Sequence, residues 1–175
     1  MKRMICFSIC LVLLTACGNN VKPADSSELL QHLCFYGSEF SYPCTYGEIS
    51  GQFGLTNENI VSFESNSFLY YDLTYHEESV ATIGFSGEKT DHPETKEIEM
   101  LEITGDQLSA FKLGDTVCNA DYKALTKAFG KPDSQMETGT SELGTSKVIT
   151  YTWNGVDVSI IFHDNQAHQF TFVKR

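Results

Sequence analysis

Positive charge is scarce in this sequence. Its 175 residues include 12 Lys and Arg against 23 Asp and Glu, which makes the formal net charge −11. Nucleic acid is excluded as a partner, because its phosphates require a basic surface. Anionic lipid headgroups would also repel so acidic a chain, so charge alone cannot hold it at a membrane.

Short catalytic and metal-binding motifs are missing as well. The sequence contains no Cys-x-x-Cys, His-Glu-x-x-His, phosphate-loop or Gly-x-Ser-x-Gly pattern. His163 and His168 flank a predicted Asp164-Asn165 turn and can approach each other, but a metal site needs three or four ligands. We therefore predict a chain without catalytic residues, cofactor or metal.

Acidic residues are plentiful, and one group of them lies on a predicted strand. Glu97, Glu99 and Glu102 share that strand near 96–103. We interpret them as a solvated face rather than as an acid-base pair, since a working pair needs a defined geometry around a substrate.

The N-terminus has the three parts of an export signal. Lys2 and Arg3 form a positive region, and an apolar stretch follows from Ile5 to Leu14, shorter than the roughly 20 residues that a membrane-spanning helix needs. Leu14-Thr15-Ala16-Cys17 then resembles the lipobox of bacterial lipoproteins. The resemblance implies that lipid is attached to Cys17 and that residues 1–16 are removed as a signal peptide. The alternative is an ordinary secretory signal with an incidental cysteine.

Residues 17–27 are predicted to be the lipidated cysteine and a flexible tether, since they are polar and lack a hydrophobic period. Removal of Lys2 and Arg3 lowers the basic residues from 12 to 10 against 23 acidic ones, so the formal charge becomes −13. We expect the chain to lie at the extracytoplasmic face of the cell membrane, held there by lipid such as palmitate on Cys17.

Three cysteines follow Cys17, an odd number for an exported protein. Cys34 and Cys44 flank a short segment that can bend at its Gly and Pro, which makes them a candidate disulfide. A bridge between Cys44 and Cys118 is a second option, because both precede a predicted helix. The third option is that all three are free thiols, and peptide mass spectrometry of the unreduced protein distinguishes the three.

The second half of the chain predicts a helix and a hairpin. Residues 119–129 show apolar spacing of three and four, with Asn119 as the helix cap. Two alternating strands, 147–153 and 156–162, are joined by Asn154-Gly155, the strongest short signal for a hairpin. This turn places Ile149, Tyr151, Trp153, Val156, Val158 and Ile160 on one apolar face. A third strand is predicted at 169–173, and the helix is the natural cover for the apolar face.

The first half repeats this order at an offset of 76 residues. A helix is predicted near 45–53 and strands near 67–75, 79–86 and 96–103. The alternation slips by one residue after Val80. Identities at this offset include Tyr46 with Tyr122, Phe53 with Phe129 and Gly54 with Gly130. We therefore predict two units, 28–104 and 105–175.

Motifs in the second unit resemble the beta-lactamase inhibitor protein-like fold, whose single unit also occurs in small lipoproteins of outer-membrane assembly. The residues that carry the resemblance are Gly114-Asp115-Thr116, Phe129-Gly130-Lys131-Pro132-Asp133, Tyr151-Thr152-Trp153 and Ile161-Phe162-His163-Asp164-Asn165. The fold class implied is α+β, with two tandem units of helix plus antiparallel sheet. The resemblance also implies protein binding through a concave sheet, without implying that a beta-lactamase is the target.

Aromatic residues are the remaining signal for function. Tyr and Trp on a rigid sheet make good interface anchors, and the candidates are Tyr70, Tyr71, Tyr75, Tyr151 and Trp153. We therefore expect a non-catalytic, inhibitor-like module that binds an unknown envelope or extracellular protein. The alternative is an assembly or scaffold component of the envelope, and an extracellular hydrolase is the least favoured interpretation.

Substitution of Cys17 by Ala tests the anchor. The variant should not incorporate a radiolabelled fatty acid, because the acceptor thiol is gone, and the precursor should accumulate or be released from the membrane. Labelling is measured after electrophoresis of the precipitated protein. Continued incorporation of the label into Cys17→Ala would refute the assignment.

Overall fold

The computed structural model describes residues 26–63, 66–87, 92–141 and 144–175. Within these ranges twelve strands form two antiparallel sheets, whereas the three α-helices span only four, four and eight residues. The expected α+β class of two tandem helix-plus-sheet units is therefore wrong: the described chain is mostly β, with a sandwich-like arrangement of two sheets.

The bounds of the elements are as follows. The α-helices are α1 (Ser26–Leu29), α2 (Tyr46–Ile49) and α3 (Tyr122–Phe129), and 3₁₀ turns cover Pro93–Thr95 and Gly105–Ala110. The first strands are β1 (Leu33–Phe35), β2 (Ser38–Phe40), β3 (Gly54–Phe63), β4 (Asn66–Tyr75), β5 (Glu78–Ser86) and β6 (Met100–Thr104). The later strands are β7 (Phe111–Leu113), β8 (Thr116–Val117), β9 (Ser134–Ser141), β10 (Gly144–Trp153), β11 (Val156–His163) and β12 (Gln166–Lys174).

The large sheet has eight strands in the order β3-β4-β5-β6-β12-β11-β10-β9. Its two halves meet where β6 pairs with β12 over five residues, from Met100 opposite Val173 to Thr104 opposite Gln169. The small sheet, β2-β1-β7-β8, combines strands from both halves of the chain. One sheet and one hydrophobic core therefore cross the predicted boundary between residues 104 and 105.

Tight two-residue turns set the register of the hairpins. Asn154 and Gly155 have φ angles of 49° and 79°, and Asp164 and Asn165 have 48° and 67°. Both pairs have the positive φ angles that a type I′ turn requires. The predicted pairs Trp153 with Val156, Tyr151 with Val158, and Ile149 with Ile160 are confirmed, and all six side chains are buried.

The predicted slip after Val80 is confirmed and has the form of a bulge. Leu73 pairs with Ala81 but Thr74 pairs with Ser79, so Val80 is the extra residue on β5. Val80 and Ala81 are both buried although they are adjacent. The bulge therefore lets the alternation of β5 change face without breaking its pairing with β4.

Helix α3 is shorter than predicted and has a different cap. The Asp121 carboxylate accepts a hydrogen bond from the Ala124 amide at 2.7 Å, whereas Asn119 accepts one from Gln166 Nε2. The Phe129 ring packs edge-on against Trp153, with centroids 5.7 Å apart. This helix therefore covers β10 as expected, while α2 has only four of the nine residues expected near 45–53.

The small sheet covers the part of the large sheet that the short helices leave bare. Phe111 of β7 lies with its ring centroid 5.7 Å from Phe35, 6.2 Å from Phe170 and 5.8 Å from Phe172. Tyr42 adds a further contact with Phe172 at 5.6 Å. Strands of two or three residues are too short to show a period of two, so neither these strands nor a second sheet was predicted from the sequence.

The predicted N-terminal segments fall mostly outside the described residues. Residues 1–25, with the signal peptide and Cys17, are among those left out, and α1 begins at Ser26, within the predicted tether of 17–27. None of the helices in the described ranges has the length and apolar character that a membrane crossing requires.

Replacement of Phe111 by Ala should destabilise the fold strongly, because it leaves a cavity in the aromatic layer between the sheets. We expect the free energy of unfolding to fall by about 3–5 kcal/mol. Urea denaturation followed by circular dichroism measures this change. Val117→Ala on the neighbouring strand is the matched control: Val117 is 40 % exposed, and its loss should stay near 0.5 kcal/mol. Equal effects of the two substitutions would contradict this packing.

Candidate functional site

Among the described residues, one face of the large sheet carries the buried apolar side chains and the other carries mainly half-buried and exposed ones. On β10, β11 and β12 the residues that alternate with the core, such as Thr150, Ser159 and Thr171, are half-buried. Two apolar residues on the same side are openly exposed, Met136 by 60 % and Val173 by 43 %. We call this side the open face.

A row of polar side chains crosses the open face from edge to edge. Each member lies directly opposite the next on the neighbouring strand, so all of them point to the same side. The polar row consists of Thr56, Asp72, Thr82, Glu102, Thr171, Ser159, Thr150 and Ser134. The centre of an eight-stranded sheet is therefore lined with hydroxyls and two carboxylates.

Hydrogen bonds hold the side chains of the polar row in place. Gln169 Nε2 donates to Glu102 Oε2 at 2.8 Å, and the Thr171 hydroxyl donates to the same oxygen at 3.4 Å. Farther along the row, the Thr150 and Ser159 hydroxyls are 3.2 Å apart. The Glu102 carboxylate is thus positioned by two neutral donors.

A central groove lies over β4, β5 and β6, beside the junction of β6 with β12. β5 and β6 pair over only three residues, Thr82–Gly84 opposite Met100–Glu102, and diverge beyond them. Two adjacent depressions, of about 610 Å³ and 270 Å³, share Thr82 and Glu102. The first depression is bordered by Tyr70 and Asp72. The second lies between β5 and β6, beside Asp106.

Glycine at position 84 shapes the wall of the central groove. A Cβ atom there would lie 3.1 Å from the Tyr70 ring and 3.2 Å from Met100 Cβ. Both distances are closer than ordinary van der Waals contact. The absence of a side chain at Gly84 therefore lets the Tyr70 ring lie across β5 at the edge of the groove.

The charge of the central groove is negative. Asp72, Glu102 and Asp106 line it, and none of the described residues that border it is Lys or Arg. Lys147, the described lysine on β10, pairs with Glu137 at 3.0 Å, away from the groove. The groove therefore presents carboxylates against a background of hydroxyls.

An aliphatic strip runs beside the polar row. Met136, Val148 and Ile161 lie opposite one another on β9, β10 and β11. Val148 and Ile161 are half-buried, and Met136 is the most exposed large apolar residue of the described chain. The open face thus combines an acidic polar centre with an apolar flank.

Four of the five aromatic residues predicted to bind a partner turn away from the open face. Tyr151 and Trp153 are 1 % and 4 % exposed beneath α3, and Tyr71 is 8 % exposed. Tyr75 stacks on Tyr36, with ring centroids 4.6 Å apart, and packs against the core. Tyr70 borders the central groove on the open side, and the largely buried Tyr71 also contributes to its lining. The buried rings are core residues and offer no surface to a partner in this conformation.

The three cysteines that the structure describes are all free thiols. The candidate bridges between Cys34 and Cys44 and between Cys44 and Cys118 are therefore not formed. Cys34 is half-buried on β1, whereas Cys44 and Cys118 are buried. Burial, with a smaller effect of Glu48 and Glu97, raises the pKa of Cys44 to about 12.

His163 and His168 do approach each other, with ring centroids 4.9 Å apart. The Ser146 hydroxyl lies 2.7 Å from His163 Nδ1. The group next to His163 is the imidazole of His168. A catalytic triad has a carboxylate at that place, which orients the histidine that acts as the base. Within the part of the chain that the structure describes, no group of three or more His, Cys, Asp or Glu is placed to hold a metal ion.

No protein-family model matches this chain, and neither a curated protein nor a solved structure does. We therefore infer function from the geometry of the open face.

Most residues of the central groove could not be recognised from the sequence. Neither Asp72 nor Thr82 was predicted as a site residue, and Glu102 was interpreted as part of a solvated face. These residues are far apart in sequence, and only the pairing of β4, β5 and β6 brings them into one row. Their sole signal in the sequence is that they alternate with core residues such as Ile83 and Leu101.

Alkaline pH should destabilise the folded protein. Burial raises the pKa of Tyr151 from 10.0 to about 12, as it raises that of Cys44 from 9.0 to about 12. The folded state therefore holds these protons more tightly than the unfolded chain does. The resulting stability is complete below the unfolded pKa values and is lost as the pH rises through 9 and 10 toward 12.

Urea midpoints measured from neutral pH upward test this expectation. The midpoint should fall with pH above about 9, and the fall should be shallower in a Cys44→Ala, Tyr151→Phe double variant, because both groups no longer titrate. An identical slope in the double variant would show that other groups cause the alkaline loss.

Proposed function

We propose that this chain is a lipid-anchored protein of the cell envelope that binds another protein, without catalysis, through the open face of its large sheet. In this proposal the lipid on Cys17 holds the chain at the extracytoplasmic face of the membrane. The observation that carries the proposal is the open face itself, which extends over eight strands and carries an acidic groove and an exposed aliphatic strip.

The physical character of the open face suits protein recognition. Backbone hydrogen bonds between neighbouring strands hold the sheet in one conformation, so little conformational entropy is lost when a partner binds. Met136 is exposed and flexible, which suits it to pack against an irregular apolar surface. The polar row supplies donors and acceptors at the centre, where a partner can satisfy them with its own polar groups.

Helix α1, the first described element after Cys17, lies on the side of the large sheet opposite the open face. Helix α1 packs on the small sheet, where Leu29 lies 3.6 Å from the position of a Cβ on Gly114 and the Gly114 amide donates to the His32 carbonyl at 2.8 Å. The small sheet lies on the covered side of the large sheet. In this proposal the anchor at Cys17 precedes α1, which lies on the side away from the open face, and a partner has access to that face.

A scaffold role in an envelope assembly is the second candidate. Within the described ranges, β3 and β9 each have a single strand neighbour. Edge strands offer unpaired backbone groups that an extended segment of a partner can join. Permanent docking of this kind would use the edge of the sheet in place of its open face.

Substitution of Thr82 by Trp tests the open face as the binding surface. A bulky ring at the shared centre of the two depressions should exclude a partner, so that about tenfold less of it is recovered with the full chain from crosslinked native membranes. Recovery is measured by quantitative mass spectrometry.

Thr116→Trp is the matched control, since it adds the same ring to β8 of the small sheet. The proposal requires that Thr116→Trp retain the partner that Thr82→Trp loses. Loss with Thr116→Trp alone would place the partner on the small sheet. Retention with both variants would favour docking at an edge strand and would contradict binding through the open face.

A further inference from the structure

Two histidines lie side by side at one end of the open face. His163 ends β11, and His168 follows on β12 after the turn of Asp164 and Asn165. Their ring centroids are 4.9 Å apart, and both residues are exposed. Neither residue borders the central groove, so the pair is a separate cluster of side chains of a type that binds metals.

A β-bulge brings His168 to this side of the sheet. Regular alternation along β12 with the buried Phe170 would place position 168 in the core. The pairing of β11 with β12 shifts by one residue there, so Ala167 takes the buried position and His168 is exposed beside His163. Bulges that re-aim a side chain in this way are over-represented next to functional sites.

A hydrogen bond orients the other imidazole. Ser146 lies directly opposite His163 on β10, and its hydroxyl oxygen is 2.7 Å from His163 Nδ1. When Nδ1–H donates to this hydroxyl, Nε2 keeps its lone pair. Metal-binding histidines almost always have such a partner at the second ring nitrogen, because it fixes the tautomer and the orientation of the ring. The contact with Ser146 therefore leaves Nε2 of His163 as the nitrogen that can bind a metal.

The distance between the two rings fits two ligands of one metal ion. With metal–nitrogen bonds of about 2.0–2.1 Å, two imidazoles on one ion have centroids roughly 4.5 Å apart at an angle of about 90° and roughly 5.2 Å apart at about 110°. The observed separation of 4.9 Å lies between these values. We propose that His163 and His168 together bind one divalent copper ion at the open face. This site does not depend on the protein partner of the proposed function.

The number of ligands favours copper over zinc. A zinc ion that belongs to the fold or to catalysis takes three or four protein ligands. Within the described ranges no third His, Cys, Asp or Glu joins the pair. Cu(II) binds nitrogen ligands most tightly among the divalent first-row metal ions, and its tetragonal sites accept oxygen from water at the remaining positions. An ion held by two imidazoles therefore keeps open positions and exchanges with the surroundings.

The basic side chain next to Ser146 in sequence is turned away from the pair. Lys147 lies on the covered side of the sheet, where its Nζ atom is 4.1 Å from the centre of the Tyr122 ring and 3.0 Å from a carboxylate oxygen of Glu137. The chain as a whole is acidic, with a formal charge of −13 after removal of residues 1–16. An acidic protein attracts cations from solution, so its overall charge favours the uptake of a metal ion.

Titration of the full chain with a copper(II) salt tests this site. The protein is purified in detergent without a histidine tag, and the copper salt alone is the probe. Electron paramagnetic resonance counts the nitrogen atoms bound to the ion, and calorimetry measures the affinity. We expect one tightly bound Cu(II) with two imidazole nitrogens, and paramagnetic broadening of the amide signals of His163 and His168.

Removal of each imidazole in turn provides the variants. His163→Gln and His168→Gln should each weaken the binding of Cu(II) about a hundredfold and leave one bound nitrogen, because the ion loses one of its two protein ligands. Ser146→Ala should weaken binding about tenfold and keep both nitrogens, since Ser146 only positions the ring of His163. His76→Gln is the matched control: it removes an exposed imidazole from the turn between β4 and β5, and it should change the affinity less than about twofold.

A cysteine variant separates the imidazole pair from thiol chemistry, because thiolates also bind copper. Cys34 is the half-buried cysteine among the three that the structure describes, and Cys34→Ser should retain the site with both nitrogens. Three results would overturn the proposal: no binding of Cu(II), a bound ion with fewer than two imidazole nitrogens in the unchanged chain, or a loss of affinity in His76→Gln or Cys34→Ser as large as that in His163→Gln and His168→Gln.

Discussion

The packing of Phe111 against Phe170 and Phe172 is the contact on which the rest of the structure depends. Phe111 belongs to a strand of only three residues, and its ring joins the small sheet to the centre of the large one. The large sheet would otherwise expose apolar side chains over β6 and β12, where its two halves meet. The small sheet and the short helices lie on the same side, so none of the described elements covers the opposite side of the large sheet.

The open face follows from the same alternation that builds the core. In β4, β5 and β6 the residues that alternate with Leu73, Ile83 and Leu101 are Asp72, Thr82 and Glu102, so burial of one set turns the other outward. Hydroxyls and carboxylates at the middle of a wide sheet keep this face stable in water. They also limit what it can bind, because a partner must satisfy the polar row and complement its negative charge.

The sequence predicted the local parts of the fold better than the long-range ones. The hairpin of β10 and β11 was predicted to the residue, because Asn154-Gly155 allows one turn and therefore one register. Strand β9 was missed because its residues are polar. Strand β7 was missed because three residues are too few to show the alternation of apolar and polar residues that indicates a strand. The shared face of Tyr151 and Trp153 and its cover by the helix were both predicted, and that cover leaves the two rings buried. The groove could not be predicted, since it depends on the pairing of β5 with β6 across a segment without a pattern of its own.

The central claim is that a partner protein contacts the open face. Site-specific photo-crosslinking in intact cells measures this directly, with benzoylphenylalanine placed at Thr150 or Thr171 on the open face and at Lys112 on the small sheet. Lys112 is exposed, so the probe is accessible there as well. The account predicts one protein adduct of the same mass from Thr150 and Thr171 and none from Lys112. An adduct from Lys112 with none from the two open-face positions would contradict it.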